Sequence, residues 1–285
     1  MNKIACVNGQ FLPESEASIS IFDRGFLFAD GIYEAISVVD GLMLDVEPHM
    51  ARLERSLNEV AMTSPYSREQ IIAMLRELVQ QNQFREGLLY FQITRGAAPR
   101  TFQFPSSEVK ATFIAFTMPM PLMERPEIEH GVKIISLPEQ RWKRRDIKSV
   151  GMLAQCLGKQ AAVEQGCHEA IRSEDDGTIT DGTSSSFDIV KEKTLIPRPL
   201  SSSILPGVTR RAVLALAKQN EIQVEERNFT LEEARGADEA CLTAASNFVM
   251  PVVQIDEHTL GTGKPGPVGC KLRAIDIEEA LGSAR

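Results

Sequence analysis

Residues 141–149 read Arg-Trp-Lys-Arg-Arg-Asp-Ile-Lys-Ser, and five of these nine residues carry a positive charge. Lys148 follows the apolar Ile147 and directly precedes a segment, 150–162, whose apolar residues have helical spacing. An ammonium held where an extended segment enters a helix can be partly desolvated, and desolvation favours the neutral amine that forms Schiff bases. Most basic clusters of this kind are solvated surface charges. A chemical role for Lys148 therefore needs support from elsewhere in the chain.

Composition limits the classes of protein to which this chain can belong. Its 285 residues suffice for one large domain or two modest ones, and its formal net charge of −8 argues against nucleic acid as the main partner. No apolar run reaches the roughly 18 residues needed to span a bilayer, so we expect no membrane partner. The first residues lack the apolar core of a signal peptide, which predicts a cytoplasmic protein.

Cysteine and histidine are too dispersed to indicate a metal site. The five cysteines are odd in number and form no Cys-x-x-Cys pair, which is typical of reduced thiols in the cytosol. None of the four histidines has metal-ligand spacing to another histidine or cysteine, so we expect no catalytic metal.

The proline-rich stretch 118–131 is the clearest linker. It predicts an N-terminal α/β domain over 1–118, an interdomain linker over 119–131 and a larger C-terminal domain over 132–285. Together these predict a two-domain α+β protein.

Several strands are predicted before the linker. Residues 4–12 predict a hairpin that turns at Asn8-Gly9, and residues 18–21 predict a further strand. The alternating segment 32–39 predicts a strand in which Glu34 shares a face with isoleucines while Tyr33 points to the opposite face.

Helices are predicted on both sides of the linker. One opens at Pro48 and carries Arg52, and a second spans about 67–83 behind a Ser-x-x-Gln cap. After the linker, residues 204–217 predict a glycine turn that opens a helix, which is either an anion site or a plain loop-to-helix junction. Residues 261–266 match Gly-x-Gly-x-x-Gly, but they lie too near the C-terminus for a dinucleotide-binding βαβ unit.

Five ordered blocks of sequence together resemble the fold-type IV enzymes that use pyridoxal 5′-phosphate. This family includes D-amino acid transaminases, branched-chain aminotransferases, aminodeoxychorismate lyases and (R)-selective amine transaminases. The blocks are Asp-Arg-Gly-x-x-Phe-x-Asp-Gly-x-Tyr-Glu at 23–34, His-x-x-Arg-Leu at 49–53, Asp-Ile-Lys at 146–148, Thr-Asp-Gly-Thr-Ser-Ser at 180–185 and Leu-Pro-Gly-Val-Thr-Arg at 205–210. Because they cover nearly the whole chain in order, they are far more specific than any single block.

The resemblance implies roles for residues toward the cofactor. Lys148 is similar to the lysine that holds the cofactor aldehyde as an internal aldimine. Asp181 stands where the family pairs a carboxylate with the ring nitrogen, an arrangement that makes the ring an electron sink. The remaining implied cofactor contacts are Arg52 and the helix start at Val208 and Thr209 for the phosphate, Leu205 against the ring, and Ala244 and Ala245 beside the phosphate.

Within the family, the D-amino acid transaminases are the most similar group. They bind the substrate carboxylate with a tyrosine and an Arg-x-His loop that comes from the partner subunit, and Tyr33 and Arg100 stand in the matching places. A guanidinium suits a carboxylate because its planar fork donates two charge-assisted hydrogen bonds. The borrowed loop implies a homodimer.

Three positions depart from the family pattern. Asp181 replaces the usual glutamate and is one carbon shorter, which withdraws the carboxylate by about 1.5 Å. Phe102 replaces the histidine of the Arg-x-His loop, so a donor is exchanged for an apolar wall. Ala244 and Ala245 stand where hydroxyl residues often assist the phosphate, which leaves only backbone N–H groups.

The combined hypothesis is a transaminase that moves an amino group from a D-amino acid, such as D-alanine or D-glutamate, to a 2-oxo acid. Four alternatives stay open: an (R)-amine transaminase, a branched-chain L-amino acid transaminase, a lyase of the aminodeoxychorismate type, and a weakly active cofactor-binding protein. Phe102 favours an apolar substituent on the substrate, whereas the retained lysine, arginines and tyrosine argue against the weakly active protein.

Overall fold

A computed structural model describes residues 3–284 and divides into two compact units. The first unit contains residues 3–121, 147–151 and 283–284, and the second contains residues 122–146 and 152–282. Both units combine helices with an extended sheet, which confirms the predicted α+β class. The second unit differs from the predicted continuous domain 132–285, because residues 147–151 hydrogen-bond to a strand of the first unit.

A six-stranded antiparallel sheet forms the centre of the first unit. The strands lie in the order β2-β1-β6-β5-β3-β4. In chain order this unit contains β1 (Ile4–Val7), β2 (Gln10–Pro13), α1 (Arg24–Phe28), β3 (Gly31–Val39), β4 (Leu42–Met43), α2 (Val46–Glu59), α3 (Arg68–Gln81), β5 (Gly87–Thr94) and β6 (Thr112–Pro119).

The local predictions for this unit are mostly confirmed. Asn8 and Gly9 both adopt positive φ, as a tight hairpin turn requires, and Ser67 and Gln70 complete a reciprocal capping box at the start of α3. The predicted strand over 18–21 is wrong. Asp23 caps α1 immediately afterwards and accepts hydrogen bonds from two threonine hydroxyls, so the preceding residues form a loop and turn.

Helices α2 and α3 cover one face of this sheet and enclose the core of the unit. The face of β3 that carries Ile32, Glu34 and Ile36 is buried, whereas Tyr33 on the opposite face is half-buried, as the alternation predicts. Apolar residues of α2 and α3 pack in the same core cluster as the two isoleucines. Glu34 is therefore a carboxylate buried beside a largely apolar core.

The second unit contains an eight-stranded mixed sheet in the order β11-β10-β12-β13-β7-β8-β9, with β14 paired to β13. Only the pairs β13–β7 and β7–β8 are parallel. The elements are α4 (Pro126–His130), β7 (Val132–Pro138), α5 (Leu153–Glu164), β8 (Glu169–Ser173), β9 (Ile179–Gly182), β10 (Ser186–Lys191), β11 (Thr194–Pro197), α6 (Val208–Gln219), α7 (Leu231–Arg235), β12 (Glu239–Ala244), β13 (Phe248–Ile255), β14 (His258–Thr259) and α8 (Pro267–Gly282).

Both faces of this sheet are covered. On one face Phe187 and Leu242 pack in a cluster that includes residues beside α7, and on the other Val190 and Cys241 pack against α6 and α8. Strands buried on both faces read as nearly continuous apolar runs, which is why β13 has no polar alternation. Within residues 3–284 no helix is long and apolar enough to cross a membrane.

Candidate active site

Lys148 lies in an extended segment that is attached to β3 of the first unit. The amide of Tyr33 donates to the Lys148 carbonyl at 3.0 Å, and the amide of Val150 donates to the Gly31 carbonyl at 3.0 Å. Ile147 is buried in the core of the same unit. Helix α5 begins only at Leu153, three residues later than the predicted helix, so the position of Lys148 is fixed by a sheet edge rather than a helix start.

The half-buried Lys148 side chain lies against Tyr33. Its Nζ is 4.2 Å from the centroid of the Tyr33 ring, which is a favourable position for a cation. The Tyr33 ring stacks on Tyr90, with centroids 5.5 Å apart, and Tyr90 stacks on Phe116. This aromatic stack restricts the tyrosine, so the structure brings together two of the predicted site residues, Lys148 and Tyr33.

Arg52 and Glu34 form a buried bidentate ion pair on the other face of β3. Arg52 Nε donates to Glu34 Oε1 and Arg52 Nη2 to Glu34 Oε2, both at 2.8 Å. His49, one turn before Arg52 on α2, places Nδ1 2.7 Å from Glu34 Oε2. The spacing of His49 and Arg52 puts both side chains on the same side of the helix, toward the sheet.

The charges of this cluster compensate one another. Burial alone would raise the pKa of Glu34, but the charge and hydrogen bonds of Arg52, with a contribution from His49, lower that pKa to about 2. Burial lowers the pKa of His49, which makes a neutral ring with a hydrogen on Nδ1 the form that donates to Glu34 at pH 7. The carboxylate is ionised and fully paired.

The predicted polar loop, 95–105, carries Arg100 and Phe102, is exposed over residues 99–104 and is anchored by arginines. Arg24 Nη1 donates to the carbonyl of Thr101 at 2.7 Å, and Arg95 lies 3.6 Å from the centroid of the Phe104 ring. Arg100 lies over the rings of Phe28 and Phe102, at 5.3 and 5.9 Å from their centroids. Phe102 itself is 82% exposed.

Asp181 of the second unit is buried at the end of β9. Its Oδ2 accepts a hydrogen bond from the backbone N–H of Leu205 at 3.0 Å and lies 3.6 Å from Nη1 of Arg141. Burial raises the pKa of Asp181 to about 6, although Arg141 and the Leu205 N–H act in the opposite direction. The structure thus brings together two predicted residues, Asp181 and Leu205, and adds Arg141 to them.

Helix α6 begins at Val208 as predicted, and its first turn carries Thr209. The preceding Gly207 has no side chain to cap the first N–H groups of the helix. A Cβ at Gly207 would lie 2.8 Å from the hydroxyl of Ser186 on β10, so glycine permits a close approach between the loop and the sheet. Uncapped N–H groups and the helix dipole make this start a suitable anion site.

A buried hydroxyl lies on the strand that adjoins β10 here. Thr243 pairs in register with Ser186, and within residues 3–284 its Oγ1 has no hydrogen-bond partner. Ala244 is the last residue of β12, and Ala245 begins the turn that follows. Two residues further along β10, Asp188 is fully buried with both oxygens unpartnered among the described residues, and burial raises its pKa to about 7 against the opposing charge of Arg210.

Sequence reasoning missed several of these residues, although one signal was present. Glu34 was predicted to share a strand face with isoleucines, and a buried carboxylate requires a cationic or hydrogen-bonding partner. His49 and Arg52, at helical spacing, were the candidates. For Thr243 and Asp188 no comparable signal exists, because their neighbours lie on other strands. Arg141 pairs with Glu139 two residues earlier, but Asp181 is 40 residues away in the chain.

The family is settled by comparison with known proteins. The model of the family described as "Amino-transferase class IV" matches residues 31–255. The chain is 37% identical over 269 residues to a D-alanine aminotransferase of Staphylococcus haemolyticus, covering 94% of each chain. It is 38% identical over 261 residues to a D-alanine aminotransferase of Bacillus licheniformis, covering 92% of this chain and 91% of that one.

Solved structures support the same fold. A branched-chain amino acid aminotransferase of Escherichia coli matches with a TM-score of 0.91 at 22% identity, covering 100% of this chain and 97% of that one. A branched-chain aminotransferase of the thermophilic archaeon Thermoproteus uzoniensis, solved with norvaline, matches with a TM-score of 0.85 at 24% identity, covering 98% of this chain and 95% of that one.

This chain belongs to the class IV aminotransferases. It is an aminotransferase of the fold-type IV group, so the family and the enzyme class predicted from the five sequence blocks are confirmed.

Proposed function

We propose that this enzyme transfers the amino group of a D-amino acid to a 2-oxo acid, with pyridoxal 5′-phosphate attached to Lys148. The observation that carries the proposal is the half-buried Lys148 amino group held against Tyr33 in a class IV aminotransferase. The D-alanine aminotransferases of two bacteria, each more than a third identical to this chain, support the choice of D-alanine as amino donor.

The residues present fit the chemical groups of this cofactor. Pyridoxal phosphate supplies an aldehyde that condenses with amines and a ring that withdraws electrons from the substrate carbon. Lys148 offers the amine for attachment, and Asp181 offers a buried carboxylate for the ring nitrogen. For the phosphate the chain offers the uncapped start of α6 and the hydroxyl of Thr243, which has no hydrogen-bond partner within residues 3–284.

Further contacts are assigned by the same reasoning. Arg52, whose guanidinium is held rigidly by Glu34, would bind the phosphate. Val208 and Thr209 would donate backbone N–H groups, and Leu205 would pack against the ring. The amides of Ala244 and Ala245 would complete the phosphate contacts without hydroxyl groups.

Lys148 has a second role once its amino group is free. A neutral amine is a base, and Nζ is the group positioned to take the proton from Cα of the amino acid. The Tyr33 ring beneath Nζ restricts the movement of the Lys148 side chain, which helps to hold its amino group in place.

Tyr33, Arg100 and Phe102 are the proposed substrate residues. The phenol of Tyr33 and the guanidinium of Arg100 suit a carboxylate. Phe102, which stacks near Phe28, would add an apolar wall beside them. Arg100 and Phe102 lie on an exposed loop, and a loop of this kind is well placed to reach the active site of a second subunit.

A homodimer is part of the proposal. Phe22, Phe26, Phe102 and Phe104 are each more than half exposed, and hydrogen bonding between residues 22 and 98 brings their two segments together. Exposed apolar patches of this kind mark interfaces. Light scattering is expected to give twice the monomer mass, and Phe26→Asp is expected to shift the protein toward monomer. Leu42→Asp, at an exposed leucine on β4, is the matched control.

A dimer that persists in Phe26→Asp would contradict this use of the aromatic patch. A wild-type protein of monomer mass at micromolar concentration would contradict the homodimer itself.

The activity is tested with purified protein supplied with pyridoxal phosphate. A visible band near ~415 nm is expected, and it should bleach on addition of D-alanine and return with 2-oxoglutarate. Chiral analysis should then find D-glutamate. Lys148→Ala is expected to lose the band and the activity, whereas Lys143→Ala, an exposed lysine in the same stretch, should keep both.

Other outcomes would replace this proposal with a specific rival. Bleaching by L-leucine alone would indicate a branched-chain transaminase, and bleaching by an (R)-amine alone would indicate an amine transaminase. Repeated turnover of an aminodeoxychorismate to pyruvate without any amino acceptor would indicate a lyase. A protein that gains no band with pyridoxal phosphate would overturn the role of Lys148.

A further inference from the structure

Arg141 lies at the centre of a buried network that sequence reasoning did not identify. Its Nη2 donates to Glu139 Oε2 at 2.6 Å and its Nε to Glu139 Oε1 at 3.0 Å. Thr180 donates its hydroxyl to the same Glu139 Oε2 at 2.7 Å, and Arg145 Nε lies 3.5 Å from that oxygen. These contacts fix the plane of the Arg141 guanidinium.

The remaining terminal nitrogen of this guanidinium faces Asp181. Arg141 Nη1 is 3.6 Å from Asp181 Oδ2, the oxygen that also accepts from the Leu205 N–H. Both side chains are nearly inaccessible to solvent, at 7% for Arg141 and 4% for Asp181. A charged contact in so little water is screened far less than a surface pair.

Resting on the proposed function, we propose that Arg141 is a positioning residue that keeps the Asp181 carboxylate ionised and oriented toward the cofactor ring nitrogen. Arg141 does not touch the cofactor in this proposal; it acts through Asp181. An aspartate buried this deeply without a cation would be protonated near neutral pH, and a protonated carboxyl group does not stabilise a protonated ring nitrogen.

The electrostatic surroundings of Asp181 support this role. Burial raises its pKa to about 6, and Arg141 is the largest opposing influence. The other charged groups that act on Asp181 are Glu139, which raises its pKa, and Arg198, which lowers it. Asp188 on β10 also interacts with Asp181. Removing Arg141 leaves two acidic neighbours and one weaker cationic influence.

Arg141 could instead serve only the stability of the second unit through Glu139. A purely structural arginine would change unfolding but would leave the pH dependence of cofactor affinity unaltered. The affinity of the ligand-free, full-length protein for pyridoxal phosphate, measured across pH, therefore separates the two roles.

The experiment compares wild type, Arg141→Gln and the control Lys143→Gln, which removes a positive charge from an exposed residue two positions away. On the acidic side of the profile, at about pH 5, we expect Arg141→Gln to weaken affinity about 10-fold, the change that a rise of one unit in the pKa of Asp181 produces. Lys143→Gln should stay within about twofold. Affinity should fall on the acidic side of the pH profile, and this fall (the acidic limb) should lie about one pH unit higher in Arg141→Gln than in wild type or Lys143→Gln.

A double-mutant cycle tests whether Arg141 acts through Asp181. Asp181→Asn should weaken affinity and abolish this acidic limb, and Arg141→Gln should add little in the Asp181→Asn background. Additive losses, or an acidic limb that does not move in Arg141→Gln, would overturn the proposal.

Two further measurements keep the outcome decisive. If Arg141→Gln does not fold, Arg141→Lys retains the charge without the planar fork and should weaken affinity less than 10-fold at about pH 5, with the limb moved by less than one pH unit. A larger loss of affinity in folded Arg141→Lys with an unmoved limb would count against the proposal. Failure of wild type to bind pyridoxal phosphate would instead overturn the proposed function.

Discussion

Glu34 in the first unit and Asp188 in the second are equally buried carboxylates with opposite acid–base behaviour. Glu34 receives two hydrogen bonds from Arg52 and one from His49, and its pKa is lowered to about 2. Asp188 has no hydrogen-bond partner among the described residues, and burial raises its pKa to about 7.

The difference lies in the partners and not in the depth of burial. Burial disfavours the charged form of either carboxyl group, and only hydrogen bonds and an adjacent cation reverse that effect. Arg210 acts on Asp188 through its charge alone, and this does not suffice. Glu34 is therefore a built ion-pair site, whereas Asp188 is a carboxyl group whose neutral form the fold favours up to about pH 7.

The largest effect is expected from Glu34→Gln. This change removes the carboxylate that pairs with the buried Arg52, which costs about 3–5 kcal/mol of unfolding free energy. Urea denaturation of ligand-free protein would measure it. Glu54→Gln, on the exposed side of the same helix, is the control and should lose less than about 1 kcal/mol. Equal losses of unfolding free energy in the two variants would show that the buried pair stabilises the fold no more than the exposed pair.

Asp188→Asn should increase the free energy of unfolding at alkaline pH, whereas Glu34→Gln decreases it. The folded pKa of about 7 exceeds the ordinary value of 3.8, so wild type loses stability as pH rises between these values. The variant escapes this loss and should be more stable than wild type by up to about 4 kcal/mol at pH 8, relative to the same comparison at pH 4.

Thermal and urea unfolding at both pH values would test this prediction for Asp188. A stability difference that is independent of pH would mean that the carboxyl group does not titrate in the folded protein.

Glu34 predicts an acid-labile fold. Its folded pKa of about 2 lies below the ordinary value of 4.5, so its contribution is fully present above pH 4.5 and disappears as pH falls toward 2. The loss amounts to about 3 kcal/mol at about 1.4 kcal/mol per pH unit. Protonation of His49 also destabilises the fold as pH falls, but at higher pH than protonation of Glu34. The part of the acid-induced loss of stability that is absent from Glu34→Gln therefore belongs to the glutamate. A variant with the full acid limb would refute the assignment.

The smallest effect is expected at the exposed counterpart of the buried pair. Arg68 contacts Glu54 at 2.5 Å and Glu47 at 2.9 Å, but all three side chains are partly solvated. Arg68→Gln should cost less than about 1 kcal/mol, and the cost should shrink in high salt. A salt-independent loss as large as that of Glu34→Gln would break the contrast between buried and surface networks.

Much of the fold was predictable from sequence because its signals are local. The Asn8-Gly9 turn, the capping box at Ser67 and the alternation in β3 each depend on a few neighbouring residues. The strand expected over 18–21 failed because Asp23 is fixed by threonines that are distant in sequence, at positions 94 and 112. Non-local hydrogen bonds of this kind leave no periodic pattern.

The site was predictable to the extent that motifs carry it. The five blocks identified the family and named Lys148, Asp181 and the start of α6 at Val208. Glu139 and Arg141 lie outside those blocks, and their contacts with Thr180 could not be predicted because they join two segments about 40 residues apart and depend on the register of those segments.

The return of residues 147–151 to the first unit has a consequence for how the polypeptide can be divided. No single cut separates this enzyme into two self-sufficient fragments, since a fragment ending at residue 121 would lack the backbone that pairs with Gly31 and Tyr33. Lys148 lies in the sequence between two segments of the second unit, but its backbone hydrogen-bonds to the sheet of the first unit. Fragment complementation, gene fusion or circular permutation must therefore preserve the pairing of residues 147–151 with β3.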